Sequence, residues 1–226
     1  MNHRTLCFFT RLLLAGCLVG GKAHAQPSLP AGLKLEGTRL IWQGELRPEQ
    51  AEQAARLIRQ GNATALELRN SPGAGKFATT IFDTVFKVLR ARPLPTYARG
   101  VCGSACASIF LLGKEPTMLK SLTPGVPTVL MFHAMRYQGA VDPELTRTRV
   151  ADIAAVRGER ARHLLLKVAE EGLPLNAALY IFPKPVNAQA GSSTVLFCDG
   201  RPGQKIEGCA PVPGDALRDL GVVNGL

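Results

Sequence analysis

Residues 96–112 read TYARGVCGSACASIFLL. Thr96 to Cys102 is strand-like, and from Ser104 to Leu112 a continuous apolar run predicts a helix stopped by Gly113. The same handover from strand to helix repeats on both sides. Upstream, Ala63 to Arg69 (ATALELR) reads as a strand, the loop Asn70 to Lys76 follows, and Phe77 to Ala91 repeats apolar residues at Phe77, Ile81, Val85, Phe86 and Leu89 as a helix closed by Pro93. Earlier still, Thr38 to Leu46 is strand-like, and Arg47 to Gln60 has Pro48 in its first turn and an apolar face of Ala51, Ala54, Ala55, Leu57 and Ile58. Gln26 to Gly37 reads as a lead-in. Downstream, Thr128 to Phe132 is a strand that ends at His133, Pro143 to Glu171 carries one long apolar stripe from Val150 to Val168, and Asp215 to Leu220 forms a short last helix. Alternating strands and helices at this spacing predict the α/β class, with right-handed crossovers and a mostly parallel sheet buried on both sides. The long helix exceeds the usual globular length and leaves a face for self-association, so a homo-oligomer is expected.

The first residues, with Arg4 and Arg11, no acid, an apolar stretch ending near Gly21 and Ala23-His24-Ala25 before Gln26, have the layout of a secretory signal peptide cut after Ala25. Residues 26–226 are then one domain. Leu14-Ala15-Gly16-Cys17 resembles a bacterial lipobox, so lipidation of Cys17 is the alternative and the one route to a membrane. Arg11 interrupts the apolar run before Cys17 and favours soluble export. Either route predicts a periplasmic or secreted protein. Removing the leader takes Arg4, Arg11 and Lys22 and lowers the formal net charge from +10 to about +7.

That basic balance does not point to nucleic acid. The cations are scattered, there are 13 aromatic residues, and no five basic residues run together. The expectation is a solvated cationic surface. Four cysteines remain after processing, and an even count in an exported protein predicts disulfides. Cys198 and Cys209 flank CDGRPGQKIEGC and staple a hairpin. Cys102 and Cys106 can pair only if a strand-to-helix turn brings their Cα atoms within about 7 Å.

In an α/β sheet, ligands meet the carboxyl ends of strands, where loops open into helix N-termini. Two such places stand out: the Asn70 to Lys76 loop and the Gly103-Ser104-Ala105 turn. The loop fails the phosphate-binding pattern, with Asn70 in place of glycine and Phe77 in place of Ser or Thr. Ser104 has two readings. It is an N-cap for the helix behind it, or it is a nucleophile, for which the small neighbours Gly103, Ala105 and Ala107 leave room. His133 likewise is a core histidine bonded to a carbonyl, or the base for Ser104. His163 sits mid-helix and solvated. One strand histidine with distant carboxylates makes no metal site, and no cofactor is called for.

Asn70-Ser71-Pro72-Gly73-Ala74, Ile81-Phe82-Asp83-Thr84, Gly103-Ser104-Ala105-Cys106, Met131-Phe132-His133 and the closing Asp215 to Val223 resemble, in order and spacing, the proteolytic-subunit family of the Clp proteases. The Cys102-x-Ser-Ala-Cys106 form is more specifically similar to exported Clp-like proteins of bacteria. The resemblance covers about residues 38–223. It implies a Clp/crotonase-type spiral of ββα units, acyl transfer on a peptide or protein substrate by Ser104, His133 as general base, and the N–H groups of Ala74 and Ala105 as oxyanion donors. Two departures stand against it. Ala74 replaces a glycine of the family, and the family's aspartate ahead of the closing helix has no counterpart. Asp199, Glu207 and Asp215 are the available acids, and Asp199 is taken as the third member. A Ser-His dyad, or a binding or scaffold protein without catalysis, is the competing expectation.

Overall fold

The computed structural model describes residues 29–137, 139–170, 173–174, 176–185 and 193–226. The leader, with Ala25 and Cys17, and the expected helix end at Glu171 lie outside them. Strand β1 (Leu33–Glu36) turns back antiparallel onto β2 (Arg39–Gln43), so part of the expected lead-in is sheet. Helix α1 (Pro48–Gln60) follows, and the Gln50 amide oxygen within it accepts both the Arg47 N–H at its start and the Trp42 indole N–H of β2, tying helix to sheet. Then come β3 (Ala65–Ser71), α2 (Ala78–Ala91), β4 (Thr96–Gly103) and α3 (Ala105–Leu111). The remainder holds β5 (Thr117–Leu119), β6 (Val129–His133), the hairpin β7 (Arg136–Tyr137) and β8 (Ala140–Val141), α4 (Pro143–Arg157), α5 (Glu159–Leu165), β9 (Ala178–Ile181), β10 (Val195–Cys198), β11 (Ala210–Pro211), α6 (Ala216–Asp219) and β12 (Val223–Gly225).

Among the described residues, ten strands form one sheet in the order β1-β2-β3-β4-β6-β9-β10-β11, with β5 and β12 branching from β4. Strands β2 to β6 run parallel; the pairs β6/β9, β9/β10 and β10/β11 are antiparallel. The class is therefore α/β, with a mixed, largely parallel central sheet and helices packed on it.

The expectation of burial on both faces holds only in part. Strand order advances in one direction along the parallel part, and right-handed crossovers that all step the same way place their helices on one face. Burial in β4 alternates accordingly. Thr96, Ala98 and Cys102 point into the helix-covered core, while Tyr97, Arg99 and Val101 stand on the other side, partly exposed or exposed. On that outer face lies Glu67, whose side chain is wholly buried beneath Arg39, Arg69 and Arg99 at 3.1, 2.6 and 2.8 Å. The guanidinium stems cover this part of the face, and beside β6, β9 and β10 a second apolar cluster of Phe182, Leu196, Cys198 and Cys209 packs with Val129 and Tyr180.

The single long helix is also corrected. Gly158 ends α4 with φ 91° and ψ 176°, a backbone state that glycine takes without strain, and α5 begins at Glu159. The apolar stripe continues across the break, which is why periodicity alone ran the two helices together: Val150, Ile153, Ala161, Leu164 and Leu165 are all buried.

Candidate active site

Strand β4 ends at Gly103, and Ser104 follows with φ 54° and ψ −123°. A non-glycine residue at positive φ is uncommon and costs on the order of 1–3 kcal/mol, so such residues persist only where their surroundings over-determine them. Here the surroundings are specific. The Ser104 N–H donates to Met131 O on β6 at 2.8 Å, and Ser104 O accepts the Ser108 N–H at 3.1 Å, which starts the helix. The loop after β3 closes the third side: Gly73 sits at φ 115°, and a Cβ there would stand 2.7 Å from Ser104 Cβ and 3.0 Å from Gly103 O. Backbone and serine are in van der Waals contact, which only glycine permits.

The two readings of Ser104 separate at this point. It occupies the N-cap position of α3, yet its side chain makes no capping hydrogen bond. A serine there without its capping bond, held on a sharp strand-to-helix turn, has the geometry of a nucleophile elbow. Ser104 is half-buried and lines a cavity of about 1020 Å³.

His133 ends β6, beside β4, and lines the same cavity. Neighbouring strands lie about 4.8 Å apart. Its Nδ1 lies 2.7 Å from Ala134 O; a carbonyl only accepts, so Nδ1 carries the proton and Nε2 of the neutral ring is free to take one. Burial pushes the imidazole below its ordinary 6.5; the Ala134 carbonyl works against that shift and the nearby Arg136 charge works with it. The ring is therefore neutral at pH 7. No hydrogen bond joins Ser104 Oγ to His133 among the described residues; the two side chains share the lining of one cavity.

Ala74 and Ala105 are each buried and stand directly beside the cavity-lining residues Gly75 and Ser104. Among the described residues neither N–H has an acceptor. The Ala105 N–H is the first donor of α3, free as at any helix start, and with the Ala74 N–H it offers two main-chain donors beside the cavity, the donor type an oxyanion requires.

Asp199 is elsewhere. Its carboxylate is bound by Arg201, with Nε at 2.6 Å, and that hydrogen bond holds its pKa below the ordinary value. Cys198 is in register with Ala178, and Ala178 with His133, so Asp199 starts two strands away from the imidazole. Asp215 caps α6 through the Arg218 N–H. Neither these nor Glu207 bonds His133 among the described residues. The carboxylate that does line the cavity is Asp142, which sequence reasoning missed. It caps α4, accepting the Leu145 N–H at 2.8 Å, while its own N–H holds Met135 O at 2.9 Å. The signal was the Asp142-Pro143 pair, a helix-start signature. Lys76, Arg136 and Tyr137 also border the cavity, the last two from the β7/β8 hairpin at its mouth.

Both cysteine pairs lie at bonding distance, Cys102 with Cys106 and Cys198 with Cys209. His163 is exposed, 3.1 Å from Glu159. Among the described residues no group of three or more His, Cys, Asp or Glu is placed to hold a metal ion, and no helix is long and apolar enough to cross a membrane. Compared with known proteins, the chain matches no family model and no curated protein.

Proposed function

We propose that this chain is an exported serine hydrolase, peptidase-like, working on a Clp/crotonase-type scaffold through a Ser104-His133 dyad. The observation that carries the reading is Ser104 itself: a serine at φ 54° that declines to cap the helix behind it and opens onto a cavity shared with a neutral histidine. In the proposed reaction Ser104 Oγ attacks an amide or ester carbonyl as His133 Nε2 takes its proton. The N–H groups of Ala74 and Ala105 receive the developing oxyanion. His133 returns the proton to the leaving group; it then takes a proton from water as the hydroxyl attacks the acyl carbon, and passes that proton to Ser104 Oγ as the acyl group departs.

Ala134 O fixes the tautomer of His133, which is half of what a third-member carboxylate does; it supplies no negative charge to steady the imidazolium. Losing an orienting acid altogether costs up to about 10⁴ in turnover, a loss tied to the wrong tautomer, and Ala134 O makes good only that tautomer part. This is the observation that keeps a second reading alive, a binding or scaffold protein that retains the geometry without the chemistry.

A fluorophosphonate probe separates the two. Wild-type protein is expected to label at one site, Ser104→Ala not at all, and His133→Ala slower by about 10²–10⁴. Folded wild-type protein that stays unlabelled at millimolar probe would leave the binding reading.

A further inference from the structure

The Cys102–Cys106 disulfide closes a ring of five residues whose middle member is Ser104. One sulfur hangs from the last paired residues of β4, where Cys102 is in register with Leu130 of β6 and with Ser71 of β3. The other hangs from the first turn of α3. The Cα atoms are 5.2 Å apart, and both cysteines are fully buried.

A cross-link of this span is an inefficient way to stabilise a whole fold, because the entropy it removes from the unfolded chain grows with the length of the loop it closes. It is an effective local clamp. Relaxing the positive φ of Ser104 is easiest when the ends of the turn Gly103-Ser104-Ala105 can move apart, and those ends are covalently joined. Ladder hydrogen bonds on one side and the helix start on the other anchor the two cysteines, so the bridge narrows the ways in which the elbow can relax.

Resting on the hydrolase reading above, we infer that Cys102 and Cys106 are positioning residues of the site: their disulfide locks the serine elbow, and the nucleophile becomes competent only once the chain has been oxidised. Bond formation takes two protons and two electrons from the two thiols and passes them to a disulfide donor, a protein or small-molecule disulfide that leaves as two thiols. Because both sulfurs end up in the core, the exchange happens before or during folding. A chain retained in a reducing compartment keeps a slack elbow, and the exported chain acquires a rigid one.

The test compares three forms of the full chain: oxidised wild type, Cys102→Ala/Cys106→Ala, and Cys198→Ala/Cys209→Ala. Each is followed by circular dichroism and thermal melting, by amide hydrogen exchange across residues 103–112, and by the rate of fluorophosphonate labelling. The first double variant is expected to melt cooperatively, to exchange at residues 103–112 at least tenfold faster, and to label at least tenfold slower. The second is expected to melt earlier while keeping wild-type exchange in that segment and a wild-type labelling rate. Wild-type exchange and labelling in Cys102→Ala/Cys106→Ala overturns the inference. Should that variant not fold, Cys198→Ala/Cys209→Ala folded with and without a phosphine reductant supplies the same comparison, because the two forms differ only in the Cys102–Cys106 bridge; if the reduced form does not fold either, the bridge is a global staple and the inference is equally overturned. Hydrogen exchange needs no catalysis, so an unlabelled but elbow-protected wild type removes the hydrolase reading and leaves the lock standing.

Discussion

At the scale of single residues, Gly73 and Ser104 are two halves of one feature. A methyl group at position 73 would lie 2.7 Å from Ser104 Cβ, closer than real Cβ contacts come, and alanine would also have to hold φ 115°. Gly73→Ala is therefore expected to push the loop or the elbow aside. Its stability cost is about 1–3 kcal/mol, the range for a strained φ, while the labelling rate falls by at least tenfold. Urea melts and labelling kinetics on one preparation check both, and a variant that loses stability but labels normally would detach the loop from the site. The sequence made Ser104 legible because small residues crowd around a lone hydroxyl at a strand-to-helix handover, and it made His133 legible because imidazole at the end of an apolar strand is costly without a use. It misdirected the third member. Asp199, one of the acids available on or after the stapled hairpin, is already held by Arg201, two residues on. No periodicity encodes a partner that is only two residues away, nor the choice of Ala134 O by the imidazole.

At the scale of elements, sequence patterning located β2, β3, β4 and β6 and the helices between them, passed over the short strands β5 and β9, and failed where a break or a second face intervenes. Gly158 interrupts a helix whose apolar stripe does not pause. The outer face of the sheet hides something periodicity does not carry: the carboxylate inside ALELR, Glu67, is covered completely by three arginines from β2, β3 and β4. Desolvation alone would raise its pKa, and hydrogen bonds from Arg69 and Arg99 more than reverse that, so it is charged. Those arginines keep 20–41% of their side-chain surface and can rehydrate, which places the loss at the low end for a broken buried pair. Glu67→Gln is expected to cost about 2–3 kcal/mol, read from urea unfolding. Labelling at Ser104 should persist, because the cluster lies on the β2 to β4 portion of the outer face and touches none of the cavity-lining residues.

At the scale of the whole molecule, the one-directional strand order gathers the chemistry. The loop after β3, the elbow after β4 and the end of β6 are three successive carboxyl ends of parallel strands, so residues 73–74, 104–105 and 133 converge without being near in sequence. That convergence leaves a signature in acid. His133 and Glu67 both have folded pKa values below their ordinary 6.5 and 4.5, so over the interval between each pair of values the unfolded chain binds more protons than the native one. Stability then falls as pH falls. The histidine contribution is intact above pH 6.5, begins to be lost as pH drops through that value, and is spent at the lower folded value; the Glu67 contribution begins to be lost near pH 4.5 and continues downward. Urea midpoints measured across pH 8 to 3 are expected to hold steady at first and then decline in two stages. His133→Gln should abolish the upper stage and Glu67→Gln should shrink the lower. Labelling of wild-type protein should persist somewhat below pH 6.5, because a base that resists protonation by burial stays available there; a labelling rate that halves at or above pH 6.5 would mean that the imidazole is solvated and that the cavity does not enclose it.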